Sequence, residues 1–161
     1  MTRTPSKQIS LARLKTLGRS LRSRGRRIVF TNGTFDLLHL GHVDYLEKAK
    51  RLGDVLVIGV NSDRSVKSYK TPDRPIVPEK DRMRVLSALA CVDYVVLFNE
   101  PTPIRLILAL KPHILAKGAD WKKSQIAGAK EVESWKGKVR LIPLVAGKST
   151  SAIIAKIRRE S

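Results

Sequence analysis

Two histidines, His39 and His42, flank a glycine at the end of the stretch Ile28 to His42, IVFTNGTFDLLHLGH. An imidazole pair can donate hydrogen bonds to phosphate oxygens and stabilise the charge that builds on them during phosphoryl or nucleotidyl transfer. Gly41 lets a helix start approach a triphosphate closely. A helix beginning near Gly41 would also aim its positive dipole end at the anion. No protein nucleophile is needed if the second substrate is itself a phosphate. Two other readings compete. Asp36, His39 and His42 are spaced by three, but zinc wants a third or fourth strong ligand, and neither Cys-x-x-Cys nor His-Glu-x-x-His occurs. Two histidines on a helix can also be plain surface residues. The strand and the Gly33-Thr34-Phe35-Asp36 turn just before them favour the phosphate reading.

A second candidate is Gly147-Lys148-Ser149-Thr150, which imitates the end of a P-loop. A P-loop needs another glycine where Ile142 stands and should follow the first strand, so that reading is rejected. Ser149, Thr150 and Lys148 ahead of a helix can still hold phosphate oxygens, or can simply cap the helix. The third histidine, His113, sits in a Lys-Pro-His-Ile context that reads as structural.

The elements that must position these groups follow from periodicity. Ile28 to Phe30 reads as a strand and Thr31 to Thr34 as a turn. Val43 to Leu52 has helical spacing ended by Gly53 as a C′ glycine. Val55 to Val60 is a continuous apolar run, expected of a strand buried on both faces. Strand, helix, strand is a βαβ unit. Asn61 to Pro78, polar and with three prolines, is too long for an idle connection and reads as a functional loop. A helix over Glu79 to Ala90 and a strand over Tyr94 to Phe98 follow. Thr102-Pro103 then reads as an N-cap and first helical position, opening a helix to about Leu110. Further strands are expected at Ile114 to Ala116 and Val139 to Leu144, a short helix within Gln125 to Ser134, and a last helix from Ser151 to Arg158. The whole is α/β, a Rossmann-like open parallel five-stranded sheet with helices on both faces. Loops 31–42, 117–121 and 147–150 all follow strands and should converge on one face.

Composition bounds the rest. A length of 161 residues suits one main domain, 28–161, preceded by a basic segment, 1–27, that packs on it. Nothing approaches eighteen consecutive apolar residues, so no membrane span is expected. The single cysteine, Cys91, sits in an apolar stretch and reads as packed core; one thiol makes no intrachain disulfide and fits a reducing, cytoplasmic compartment. Thirty-two Lys and Arg oppose 14 Asp and Glu, a formal charge of +18, with nine of the cations and no acid in residues 1–27. Nucleic-acid binding, an Arg-rich leader and a solvated basic surface that attracts anionic substrates all fit that charge. Ile9, Leu11, Leu14, Leu17 and Leu21 recur at helical spacing, which favours a docked helix over a leader. No RNA-binding motif is visible.

GTFDLLHLGH (33–42) resembles the signature of the small nucleotidyltransferases with an H-x-G-H motif, the cytidylyltransferase-like superfamily. One branch, the bacterial D-glycero-β-D-manno-heptose 1-phosphate adenylyltransferases, is similar further along the chain. The similar stretches are IVFTNGTFDLLHLGHVDYL (28–46), VNSDRSVK (60–67), RPIVPEKDRM (74–83), VDYVV (92–96), KGADW (117–121) and GKSTSAII (147–154). The resemblance implies that ATP and a sugar 1-phosphate react to an ADP-sugar and pyrophosphate, with Mg²⁺ carried by the nucleotide phosphates and no protein metal ligands. It implies that His39 and His42 stabilise the α-phosphate, with Lys67 as a third catalytic group. Thr31, Asn32, Gly33, Thr34, Phe35 and Gly41 would cradle the nucleotide, together with Lys117, Gly118 and Asp120. Gly147, Ser149 and Thr150 would hold the β- and γ-phosphates. Lys70, Arg74 and Arg82 would meet substrate phosphate charge, Asn61 and Asp63 sugar hydroxyls or metal, and Asp36 would orient the turn or a histidine.

The departures also carry information. Glycerol-3-phosphate cytidylyltransferases read Arg-Thr-Glu-Gly-Ile-Ser-Thr-Thr where this chain reads Leu144-Val145-Ala146-Gly147-Lys148-Ser149-Thr150-Ser151. The missing arginine argues against CTP. Lys148, Ser151 and Ala119 also depart from the heptose branch. A kinase domain fused to some enzymes of that branch has no counterpart in this sequence, so a separate kinase is expected to supply the sugar 1-phosphate. Rival substrates are CTP with glycerol 3-phosphate, or ATP with FMN. A different class is a nucleic-acid-binding protein on the same scaffold. The resemblance implies a homodimer and neither a membrane nor a nucleic-acid partner.

Overall fold

The computed structural model describes residues 6–71 and 73–160. The outer ends of the two segments expected from the sequence, and Pro72 of the long loop, lie outside them. Five strands form one sheet: β1 (Ile28–Gly33), β2 (Val55–Asn61), β3 (Tyr94–Phe98), β4 (Ile114–Gly118) and β5 (Lys138–Ile142). They lie in the order β3-β2-β1-β4-β5 and every pairing is parallel. The chain therefore starts at the centre, winds out to β3, and returns to build β4 and β5 on the other side. That reversal between β1 and β4 is a topological switch point, where open α/β sheets bind ligands beyond the carboxyl ends of their strands.

β-alternation divides the core between the two faces. Ile28, Phe30, Val57 and Leu115 point to one side. They meet α1 (Leu11–Ser23), α5 (Ile104–Leu110) and α6 (Ala129–Ser134). Val29, Leu56, Ile58 and Ala116 point to the other and meet α2 (Leu40–Lys50) and α4 (Glu79–Ala88). Cys91 is half-buried against this second cluster.

Ahead of β1, residues 7–9 run beside β3, with the Ile9 amide donating to the Val95 carbonyl at 3.0 Å and the Val95 amide to Lys7 at 2.9 Å. They cover an otherwise open sheet edge. Ser10 then caps α1 by accepting from the Arg13 amide. Leu14 is buried, and Gly18 lets α1 lie on the end of α5: a Cβ there would stand 2.5 Å from the Leu110 carbonyl oxygen, which also accepts from Arg22. Gly18→Ala should therefore cost about 1–3 kcal/mol through overpacking. The measurement is the urea midpoint at unchanged m-value; an unchanged midpoint would mean that α1 yields freely.

Several boundaries differ from those expected. β1 continues through Thr31, Asn32 and Gly33, which pair with Ile58, Gly59 and Val60; the neighbouring strand imposes extension on residues of turn-like type. α2 starts at Leu40 and ends at Lys50 with Arg51 as C-cap. Gly53 is not in the left-handed region and serves close approach instead, since a Cβ would stand 2.8 Å from the Arg27 carbonyl oxygen. The long polar loop contains α3 (Asp63–Lys67), capped by Ser62. Pro103, not Thr102, takes the cap position of α5, its carbonyl accepting from Ile107. The 125–134 region divides into a 3-10 turn, Lys123–Gln125, and α6. β5 stops at Ile142, and the last helix, α7, spans Thr150–Glu160.

Candidate active site

The switch point opens into a cavity of about 390 Å³. The end of β1 and the turn after it supply Asn32, Gly33, Thr34 and Phe35 to its wall. Phe35 takes a left-handed conformation with φ 49°, which turns the chain away from the sheet. His39 follows with extended backbone and caps α2, its Nδ1 accepting from the Gly41 amide at 3.1 Å. In the neutral ring the proton then sits on Nε2, which is left to donate elsewhere. One turn into α2, His42 stacks on His39 with ring centroids 3.9 Å apart and 25° between planes, while Phe35 meets His42 edge-on at 5.4 Å. Burial, then the neighbouring His39, pushes the His42 pKa down to about 4, against smaller opposing pulls from the Leu37 backbone and Asp36. His39 is also lowered, by desolvation and by the Lys148 charge. The His42 ring is a neutral donor at pH 7 rather than a fixed cation, and the His39 ring is pushed in the same direction.

The opposite wall is the start of α7. Ser149 caps it, its Oγ accepting from the Ala152 amide at 3.1 Å. Gly41 brings the two helix starts together, because a Cβ there would stand 3.2 Å from the Lys148 carbonyl oxygen. Two helix N-termini, with Ser149, Thr150 and Lys148, thus face one cavity. β4 adds Lys117, Gly118 and Asp120. Lys117 donates to the Asn32 carbonyl at 3.3 Å and lies 5.2 Å from the Trp121 ring centroid. Desolvation pulls its pKa down to about 8, Asp120 opposing. Among the described residues, Asn32 Oδ1 and His42 Nδ1 are buried with no hydrogen-bond partner. Orphaned polar atoms of this kind mark a site built for a polar ligand.

The loop between α3 and α4 closes the third side with Lys70 and Arg74. Asp36 holds that loop rather than a histidine: its buried carboxylate accepts from Arg74 Nε at 2.7 Å, the Ile76 amide at 2.9 Å and the Val77 amide at 2.8 Å. Tyr69 and Thr34 join hydroxyl to hydroxyl at 2.7 Å, and Arg158 of α7 reaches Asp73 at 2.7 Å.

Not every residue singled out in the sequence reaches the cavity. Arg82 is buried and spent, donating to the Thr34 and Val77 carbonyls and to Asp63 at 2.5, 2.9 and 2.7 Å. It braces the turn from behind and does not line the cavity. Asp63 is the partner of that arginine, and Asn61 is buried with its amide donating to Ser65 Oγ. Thr31 is buried against the Tyr45 hydroxyl at 2.7 Å. Lys67, at the end of α3, and Gly147, exposed with φ 70°, are not on the wall. His113 accepts from the Ile28 amide through Nδ1 at 3.0 Å, a structural role. Tyr45, Trp121, Leu144 and Val145 line the cavity without having been singled out. Tyr45 sits one turn beyond His42 on the same helix face and could have been found from that spacing.

Comparison with known proteins places the chain in a family. The cytidylyltransferase-like family profile covers residues 30–160. The chain belongs to the cytidylyltransferase-like family. Bifunctional protein HldE of Methylobacillus flagellatus is 58% identical over 136 residues, 84% of this chain and 28% of that protein. The HldE of Geotalea uraniireducens is 50% identical over 152 residues, 94% of this chain and 31% of that protein. This cytidylyltransferase-like chain thus spans about three-tenths of the length of these curated relatives. Among solved structures, a lipopolysaccharide core biosynthesis protein from Thermoplasma volcanium is 30% identical with a TM-score of 0.62, covering 75% of this chain and 98% of that one. Pantothenate synthetase from Thermus thermophilus shares the fold at 17% identity, with a TM-score of 0.60 and coverage of 86% of this chain and 62% of that one. The nucleotidyltransferase class and Rossmann-like sheet expected from the sequence accord with this family. Among the described residues no helix is long and apolar enough to cross a membrane.

Proposed function

We propose that this nucleotidyltransferase moves AMP from ATP to a sugar 1-phosphate, D-glycero-β-D-manno-heptose 1-phosphate, giving an ADP-sugar and pyrophosphate. The observation that carries the reaction is the stacked His39–His42 pair at the start of α2, facing the start of α7 across one cavity. A phosphate oxygen of the sugar 1-phosphate attacks the α-phosphorus in line. The bond from that phosphorus to the oxygen bridging to the β-phosphate breaks, and pyrophosphate leaves. His39 and His42 donate to the α-phosphate oxygens as charge builds on them. Ser149, Thr150 and the α7 amides receive the β- and γ-phosphates, and Lys70 with Arg74 meets the acceptor's phosphate. Lys67, outside the cavity wall, is assigned a weaker part in drawing phosphate toward that loop.

Among the described residues no three His, Cys, Asp or Glu side chains cluster as a metal cage. Mg²⁺ is assigned to the nucleotide's own phosphates and water, with Asp120 a carboxylate on the cavity wall. The ion would supply charge neutralisation along the triphosphate. Heptose as the sugar rests on the sequence stretches shared with that branch and on the likeness to a lipopolysaccharide core biosynthesis protein. The division into a basic segment, 1–27, and a transferase domain, 28–161, a homodimeric state and a cytoplasmic place belong to the same reading, with the resemblance as support.

The test is a matrix of ATP, CTP, GTP and UTP against heptose 1-phosphate, glycerol 3-phosphate and FMN, read as pyrophosphate released. ATP with heptose 1-phosphate should exceed every other pair by at least about tenfold, the discrimination that 1.4 kcal/mol of differential transition-state binding gives. Faster turnover of CTP with glycerol 3-phosphate, or of ATP with FMN, would reassign the substrates. Salt-dependent RNA binding with no pyrophosphate from any pair would reassign the class.

A further inference from the structure

The other end of the sheet carries a second concavity, of about 410 Å³, at the amino ends of β1, β4 and β5. A six-residue β1 at about 3.3 Å per residue separates it from the nucleotide cavity by roughly 20 Å. Its polar wall is Arg27, Arg51, His113, Lys136, Lys138 and Arg140, with Leu52 and Ile114 beneath. None of these is a carboxylate. The sheet sets the array: Arg27 immediately precedes β1, His113 immediately precedes β4, and Lys138 opens β5. Ladder hydrogen bonds lock the three positions side by side, the His113 amide donating to the Ile28 carbonyl at 3.0 Å and the Lys138 amide to the His113 carbonyl at 2.9 Å. Neighbouring strands lie about 5 Å apart, so the backbone positions that carry these side chains are adjacent. Lys136, at φ 64°, turns the chain ahead of Gly137, so a left-handed residue places the fifth cation at the rim.

Such crowding of like charge costs stability unless something offsets it. Among the described residues, Arg27, Lys136, Lys138 and Arg140 have no ion-pair partner, and Arg51 has only exposed Glu47 at 3.9 Å. Asp54 borders the adjoining hollow, but its carboxylate accepts from the Arg27 amide at 2.7 Å. The chemistry of the wall is uniform. Lys and Arg donate only, and His113 spends Nδ1 as acceptor to the Ile28 amide, leaving Nε2–H as a donor. A wall that only donates selects a ligand that only accepts. No Phe, Tyr or Trp lines this hollow, so it lacks a broad platform for a base. Its volume lies within the small-molecule range, and its concavity suits a compact anion better than a duplex surface.

From this we infer that the amino-end hollow is a second, non-catalytic binding site for an oligophosphate, a compact chain of phosphoryl groups recognised by charge and not by base. The site is independent of the transfer reaction assigned to the other end.

Three histidines make the test direct, because His39 and His42 report the nucleotide cavity and His113 reports the hollow. The full chain, labelled with ¹⁵N-histidine, is titrated with inorganic tripolyphosphate and followed through its imidazole resonances. Binding should shift the His113 resonance and raise the pH at which it titrates, separately from His39 and His42. In the triple variant Lys136→Gln, Lys138→Gln, Arg140→Gln, the His113 response should weaken tenfold or more. His39 and His42 should respond as before, and kcat should stay within twofold. Wild-type His113 that ignores tripolyphosphate overturns the inference, whatever the variant does. So does a response that survives all three substitutions. An RNA oligomer that moves His113 where tripolyphosphate does not would overturn it in favour of nucleic acid.

Discussion

His42→Ala should lower kcat by roughly a hundredfold or more, with the fold intact. The size follows from removing one preorganised donor at a developing phosphate charge, about 2.7–4 kcal/mol of transition-state stabilisation. Preorganisation is visible in the ring's surroundings: His39 stacks on one face at 3.9 Å and Phe35 abuts its edge at 5.4 Å. The ring therefore has little freedom to lose on reaching the transition state. Its pKa, pushed down to about 4 by burial and by His39, makes the neutral imidazole the working form. The rate between pH 5.5 and 8.5 should then show no inflection belonging to His42. Stability behaves differently. The unfolded chain binds the His42 proton near 6.5 and the folded chain only near 4, so this residue's contribution falls as pH drops through that window. Pyrophosphate release gives kcat and thermal unfolding gives the fold. A near wild-type kcat in His42→Ala would take the imidazole out of the transfer step.

How much of this could be read from the residues depends on the range of the interaction that fixes each one. β2 and β3 were legible because burial on both faces demands an unbroken apolar run, and Val55 to Val60 and Tyr94 to Phe98 supply it. The full length of β1 is hidden in the sequence because Thr31, Asn32 and Gly33 have turn-like side chains, and the ladder to β2 that keeps them extended lies about thirty residues away in sequence. The histidine pair and the Ser149–Thr150 helix start were legible as local patterns, each a helix terminus with its own cap. Arg82 was not. Its charge suggested phosphate, but its partners are Thr34, forty-eight positions back, and Asp63. A buried arginine and a phosphate-binding one look the same until the packing is known. Leu144 and Val145 reach the cavity because β5 ends at Ile142, where Pro143 can donate no ladder hydrogen bond, a signal masked by the apolar run on to Leu144.

Asp36→Ala should be the most destabilising single change near the site, by about 3–5 kcal/mol. The carboxylate is buried and meets Arg74 Nε at 2.7 Å, with the Ile76 and Val77 amides completing its acceptor sites. Truncation leaves a buried guanidinium without its counter-charge and two amides without acceptors, and the neighbouring backbone has nothing to substitute. At about 2–4 °C per kcal/mol for a chain of this size, Tm should fall by roughly 6–20 °C. Activity should fall in a particular way. Arg74 lines the cavity, and with Asp36 gone its loop is held less firmly, by the Arg82–Val77 contact and the exposed Tyr69–Thr34 and Asp73–Arg158 contacts. KM for the proposed sugar phosphate should therefore rise more than kcat falls. The double variant Asp36→Ala, Arg74→Met distinguishes the cause. If the cost comes from an orphaned charge, removing that charge as well should recover part of the lost Tm, a coupling visible in a double-mutant cycle. Additive losses would place the cost in the two amides instead, and make Asp36 a backbone clasp more than an ion-pair partner.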